Sequence, residues 1–169
     1  MSKIAPETTK FKVPKMLSTH FSVREFTRSN TAERLGIDNS IPDLSTLENL
    51  QLVASKMEAV RTVLGNKPIR ITSGFRSLAL NRAIGSGDSS QHRKGEAADF
   101  DCDEFGTPLQ ICKAIIASGL SFDQLILEHS WVHISFKNPS SKNRKQVLSL
   151  LKNRKYATGL TNKLGKAYK

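Results

Sequence analysis

Ser90-Gln91-His92-Arg93-Lys94-Gly95-Glu96-Ala97-Ala98-Asp99, taken with Trp131-Val132-His133 further along, is the stretch on which the fold and chemistry of this chain turn. It offers two histidines and an aspartate: His92, Asp99 and His133. Neutral imidazoles and a carboxylate suit Zn²⁺ and bind it without thiols. Three protein ligands leave the fourth tetrahedral position to water, and that opening separates a catalytic zinc from a structural one.

His92 and Asp99 stand seven apart, which on a single helix gives a shared face. Gly95 and the small Ala97-Ala98 instead predict a loop that carries His92 and a strand that carries Asp99. In Trp131-Val132-His133-Ile134-Ser135-Phe136, alternation sets Trp131, His133 and Ser135 on one face and Val132, Ile134 and Phe136 on the other. The apolar set faces the core and His133 faces the site. Trp131 either lines a substrate groove or packs at its rim.

Outward from this centre the pattern alternates between helices and strands. Ser22-Val23-Arg24-Glu25 reads as a capping box opening a short helix. Ser45-Thr46-Leu47-Glu48 reads as a second. Behind it Leu47, Leu50, Val53, Ala54, Met57, Val60 and Leu64 recur at three- and four-residue intervals, predicting a helix over 45–64 that Gly65-Asn66 ends. Pro68 to Thr72 predicts a strand, Ser77 to Ile84 a short helix and Ala97 to Asp101 a strand. Thr107-Pro108-Leu109 opens a helix that Gly119 closes. Gln124–Leu127 and Trp131–Phe136 predict an antiparallel pair or one interrupted strand. Gln146–Leu151 and Lys155–Thr158 predict a hairpin turning at Lys152-Asn153-Arg154. The order implies an α+β fold, a small antiparallel sheet with helices packed on it.

The three ligand candidates, the segment Ile71-Thr72-Ser73-Gly74-Phe75-Arg76-Ser77 with Leu80-Asn81, and the run from Phe26 to Ile37 together resemble the zinc D-Ala-D-Ala carboxypeptidase family. These are bacterial and phage peptidoglycan peptidases that share a fold with the hedgehog signalling domain. The match spans about residues 17–136, with three separated motifs in the right order. The resemblance implies metal binding by His92, Asp99 and His133, and an Arg76 beside the active site that binds a substrate carbonyl or carboxylate. A guanidinium suits either partner. The bland alternative for Arg76 is an ion pair that holds its loop. Ser90, two before His92, stands near the metal site or the substrate, or merely caps the loop.

Such a peptidase also needs a carboxylate to take a proton from water and hand it to the leaving amine. In several family members this acid lies three residues before the last histidine, where this chain has Ser130. Glu128, five before His133, is the candidate base, provided that a turn or bulge at His129-Ser130 brings it to the site. His129 is the alternative, as a transition-state stabiliser.

The expected activity is therefore a zinc-dependent peptidase on the stems or cross-links of bacterial peptidoglycan, of the phage- or prophage-encoded lytic kind. The competing class is a non-catalytic, metal-stabilised wall-binding or phage structural module of the same fold. Ser130 at the usual acid position is the best support for that rival.

With 169 residues, 38% of them hydrophobic, the chain has enough apolar material for one domain with a real core. We divide it into a flexible arm over 1–16, a peptidase domain over 17–140 and a basic extension over 141–169, with the hairpin closing the same domain. No apolar run approaches the roughly 18 residues of a membrane span. The N-terminus lacks a signal-peptide core, so the expectation is synthesis in the cytoplasm, action on the wall or periplasm after release, and a monomer. Cys102 and Cys112 are expected as buried thiols rather than a disulfide.

The formal charge is +11. No acidic residue follows Glu128, whereas ten Lys and Arg lie between Lys137 and Lys169. Such a block attracts an anionic envelope polymer or lipid, or simply solvates the chain. Against nucleic acid as the partner, only Tyr156 and Tyr168 offer stacking aromatics there, and no DNA or RNA motif appears.

Overall fold

Six short strands form one sheet in the computed structural model, which describes residues 11–168. In chain order the elements are α1 (Val23–Thr27), α2 (Asn30–Leu35), α3 (Leu44–Val63), β1 (Arg70–Ser73), α4 (Leu78–Ala83), a 3-10 turn (Gln91–Lys94), β2 (Ala97–Asp101), α5 (Pro108–Ala117), β3 (Gln124–Leu127), β4 (Val132–Ser135), β5 (Gln146–Leu150) and β6 (Tyr156–Thr158). The strands lie in the order β1-β2-β4-β3-β5-β6. The architecture is α+β, as expected.

Local chemistry explains most boundaries. Ser22 and Glu25 close a reciprocal capping box at α1, and Thr107 and Gln110 do the same at α5, with Pro108 in its first turn. The cap of α3 departs from expectation. Asp43, not Ser45, accepts from the backbone N–H of Thr46 at 2.7 Å, and the helix begins at Leu44. Two overlapping cap patterns compete here. An ionised aspartate gains more than a serine hydroxyl from the positive end of the helix.

The apolar stripe of α3 is buried as its spacing predicts: Leu50, Val53, Ala54, Met57, Val60 and Leu64 are wholly inaccessible. Each large side chain of this kind contributes about 2 kcal/mol by leaving water. They meet Phe100, Ile134, Leu125, Ile111 and Ile115 in one cluster that fills one side of the sheet. Cys102 and Cys112 sit in the same cluster as free thiols. Burial pushes the Cys112 thiol up to about 12, so it stays a protonated, inert apolar group.

One pairing was not foreseen. β5 lies beside β3 and runs parallel to it, while the other four pairings are antiparallel. Gln124 of β3 is flanked by Ser135 of β4 and Gln146 of β5. The link from β4 to β5 therefore only has to pass round one end of β3. Asp123 pins that crossing: its carboxylate accepts from the backbone N–H of Arg144 and its carbonyl from Gln146 N–H. The basic C-terminal segment thus supplies two strands to the common sheet. The turn between them falls at Lys152-Asn153-Arg154, with Leu151 N–H bonded to the Lys155 carbonyl.

The first ten residues of the expected arm lie outside the described residues. Of the remainder, Phe11 packs against the core and Met16 forms a bridge with Ser22. Among the described residues no helix is long and apolar enough to cross a membrane.

Candidate metal centre

The side chains that matter share one face of the sheet. His133 is paired with Asp99 of β2 on one side and Ile126 of β3 on the other. Directly paired residues project the same way, so Asp99 and His133 stand side by side, opposite the apolar core. His92 reaches them from the 3-10 turn, which ends at Gly95 with φ +71°. A Cβ on Gly95 would stand 2.9 Å from the Thr46 carbonyl and 3.0 Å from Leu50. Only glycine permits both this left-handed turn and its close seat on α3. Asn49 of the same helix donates to the Lys94 carbonyl at 2.8 Å.

The His92 ring is oriented by its second nitrogen. Nδ1 lies 2.7 Å from the Gly74 carbonyl, which can only accept, so Nδ1 carries the proton. Nε2 then presents a lone pair. It lies 3.2 Å from Asp99 Oδ1 and 3.2 Å from His133 Nδ1, which is itself 2.8 Å from Asp99 Oδ1. All three residues are buried, and ligand atoms from each lie within 4.8 Å of one another. One proton on His133 cannot serve both facing acceptors, whereas a cation accepts every lone pair at once. Two imidazoles and a carboxylate, with one ring braced through a carbonyl, fit zinc. Burial holds His92 below its ordinary value, so the ring is neutral as a ligand must be. Burial also opposes charge on Asp99, but the two histidines outweigh it and keep the carboxyl well below the usual range.

Arg76 donates from Nη2 to Asp99 Oδ2 at 2.9 Å and from Nε to Ser73 Oγ at 3.0 Å. Its backbone N–H bonds to the His92 carbonyl at 3.1 Å, tying the arginine loop to the ligand turn. Burial pulls its guanidinium down, and Asp99, Glu128 and Tyr156 pull it back. The loop is held by a residue that the sequence did not single out. Buried Asn39 donates to the carbonyls of Thr27 and Phe75, and accepts from Ser77 N–H at 2.7 Å. Gly74 lets this loop approach α1, since a Cβ there would come within 2.5 Å of the Phe26 carbonyl.

Glu128 follows β3 and its N–H bonds to the Trp131 carbonyl at 3.2 Å. His129 and Ser130 therefore form a tight two-residue turn. Glu128 comes opposite Trp131, which lies two before His133, so all three share the face of the metal ligands. Glu128 is only 9% exposed. Burial first, then the charge of Asp99, raise its carboxyl to about 7 against the opposing pull of His133 and Arg76. A buried carboxylate on the face of the candidate ligands suits a general base.

The remaining candidates lie further out. His129 is exposed and, with Glu128, Leu150, Lys163 and Tyr168, lines a cavity of about 280 Å³. Trp131 is half-buried on the ligand face. Ser90 caps the 3-10 turn through its backbone, without a side-chain cap hydrogen bond. Asp101, two beyond Asp99, is taken up by Arg70 across the sheet edge.

The family model for Peptidase M15 matches residues 19–135, a span that includes the three candidate ligands, Arg76 and Glu128. A zinc D-Ala-D-Ala carboxypeptidase of Streptomyces albus G is 42% identical over 45 residues. That similarity covers 27% of this chain and 18% of the relative. With most of its length matched by the family model, the chain belongs to the Peptidase M15 family.

Proposed function

We propose that this protein is a zinc-dependent peptidase that hydrolyses peptide stems or cross-links of bacterial peptidoglycan. The observation that carries the proposal is the joint placement of His92, Asp99, His133, Arg76 and Glu128 on one sheet face. His92, Asp99 and His133 would hold the metal, which when bound supplies Lewis acidity toward the scissile carbonyl and the attacking water. Glu128 takes a proton from that water and returns it to the leaving nitrogen. Arg76, fixed by Asp99 and Ser73, offers its remaining N–H groups to the carbonyl oxygen or a stem carboxylate, favouring the charge that develops there. The buried wall behind the ligands keeps the electrostatics strong by excluding water.

The phage or prophage lytic role is the finer part of the proposal. It draws support from the sequence resemblance and from the basic C-terminal segment, which suits an anionic envelope. A non-catalytic module of the same fold would have no use for a buried Glu128 on the ligand face, and this favours the enzyme.

Purified protein incubated with peptidoglycan, with and without chelator and added Zn²⁺, tests the proposal. Mass spectrometry of the released termini names the bond, and so distinguishes carboxypeptidase from endopeptidase. Zinc-dependent release that Glu128→Ala abolishes is the expected result. Zinc binding with no release from the wild type would move the protein to the non-catalytic class. Full activity in Glu128→Ala would reassign the base.

A further inference from the structure

The hairpin of β5 and β6 carries a phenol to the ligand face. The row through the site runs His133, Ile126, Leu148, Thr158 across β4, β3, β5 and β6. Paired residues project to one face, and so do residues two apart along a strand. Tyr156, two before Thr158, therefore projects to the same face as His133 and Asp99. The register also places it opposite the proposed base. One step beyond the pair Leu127–Ser149, Glu128 comes level with Leu150, and Leu150 is paired with Tyr156.

Two strand spacings, roughly 10 Å, separate the Tyr156 backbone from that of Glu128. Tyr156 is 53% exposed, and its hydroxyl has no hydrogen-bond partner among the described residues. The phenol feels its neighbours: burial, then Glu128 and Asp99, raise its pKa, with Arg76 opposing, so it stays protonated. An exposed, unengaged O–H thus projects to the face that carries Glu128, Asp99, His133 and Arg76.

We propose that Tyr156 is a substrate-contacting residue, whose phenolic O–H donates a hydrogen bond to a carbonyl or carboxylate oxygen of the peptide lying between Glu128 and Arg76. The inference rests on the peptidase function proposed above. It gives the C-terminal hairpin a part in the site distinct from its positive charge. It also supplies a neutral donor on the face that carries Glu128 and Arg76.

The test is Tyr156→Phe in the full-length, zinc-loaded protein, assayed on a soluble stem peptide beside wild type and Glu128→Gln. The variant keeps the ring and loses only the hydroxyl. The expected result is a tenfold to hundredfold loss of kcat/KM, in the range of one hydrogen bond to a polar or charged group, with zinc content and Tm unchanged. In the Glu128→Gln background, Tyr156→Phe should weaken binding of the uncleaved peptide by about tenfold. Wild-type kcat/KM in Tyr156→Phe, with Glu128→Gln inactive, would overturn the inference and leave the peptidase standing. Zinc-loaded wild type that neither binds nor cleaves the peptide would overturn both.

Discussion

Asp99 and Asp123 are both buried carboxylates that accept from an arginine, and they differ in what else faces them. Asp123 is surrounded by donors. Arg144 gives it two guanidinium bonds and a backbone N–H, Gln91 an amide N–H at 3.0 Å, and Lys137 approaches to 3.7 Å. Asp99 has one arginine and two imidazole nitrogens, one of them a lone pair held in place by the Gly74 carbonyl. A carboxylate whose lone pairs are all met by N–H groups is a structural joint. One that shares its cavity with other acceptors is short of positive charge, and that deficit marks the metal site. Through Gln91 the joint also steadies the turn carrying His92, so the two regions are neighbours in mechanism.

The largest effects should separate them cleanly. Asp99→Asn should remove zinc retention, measured as metal content after dialysis, and cut kcat/KM by about 1,000-fold or more, a loss of about 4 kcal/mol in transition-state stabilisation. Asp123→Asn, assayed below its melting temperature, should keep one zinc per chain and most of its activity. Equal loss in both variants would break the comparison.

Stability should show the reverse emphasis. Removing one partner of a buried ion pair costs about 3 kcal/mol, so Asp123→Ala should lower Tm by roughly 6–12 °C in calorimetry. Zinc at 100 times its Kd should add about 2.7 kcal/mol to the wild type and to Asp123→Ala, and nothing to Asp99→Asn. A zinc-induced rise in Tm in Asp99→Asn would place the metal elsewhere.

Gly95→Ala probes the link between core and centre. The left-handed φ and the 2.9 Å approach to Thr46 should together cost about 2 kcal/mol. Because the same turn carries His92, zinc affinity should fall alongside Tm in titration. An unchanged zinc affinity would mean that His92 is positioned independently of α3.

The smallest effect concerns acid. Burial works against the charge of Asp123, but the donors around it lower its carboxyl from 3.8 to about 2. A depressed folded-state value stabilises the fold above the unfolded value and loses that contribution as pH falls through the folded one. Asp123 should therefore contribute about 2 kcal/mol above pH 4 and lose it progressively toward pH 2. Denaturant midpoints of wild type and Asp123→Asn should converge over that window. Parallel curves would show the donors to be poorly engaged in solution.

His92, Asp99 and His133 were legible because period-two alternation, a glycine at the turn and a ligand-type residue set all act over a few neighbouring positions. The strand over 97–101 and the helix over 108–117 were legible for the same reason. The cap of α3 was misplaced because Asp43 and Ser45 both satisfy the short-range pattern, and only the folded geometry selects the charged one. Glu128 could be named as a carboxylate near the last ligand. Its place on the ligand face depends on the turn at His129-Ser130, a geometry that spacing alone leaves open. Asn39 and Asp123 gave no signal, and Tyr156 none toward this site, since their neighbours lie far along the chain or across the sheet.

What the sequence by itself determined about this protein is therefore local: element types, the apolar stripe of α3, the candidate ligand set and the uneven charge. Tertiary structure alone decided that β5 crosses beside β3, that Asp123 ties this crossing to the ligand turn, and that the basic hairpin shares the face of the metal ligands. Strand neighbours are chosen by burial and backbone pairing summed over the whole sheet. No short window of residues carries that sum.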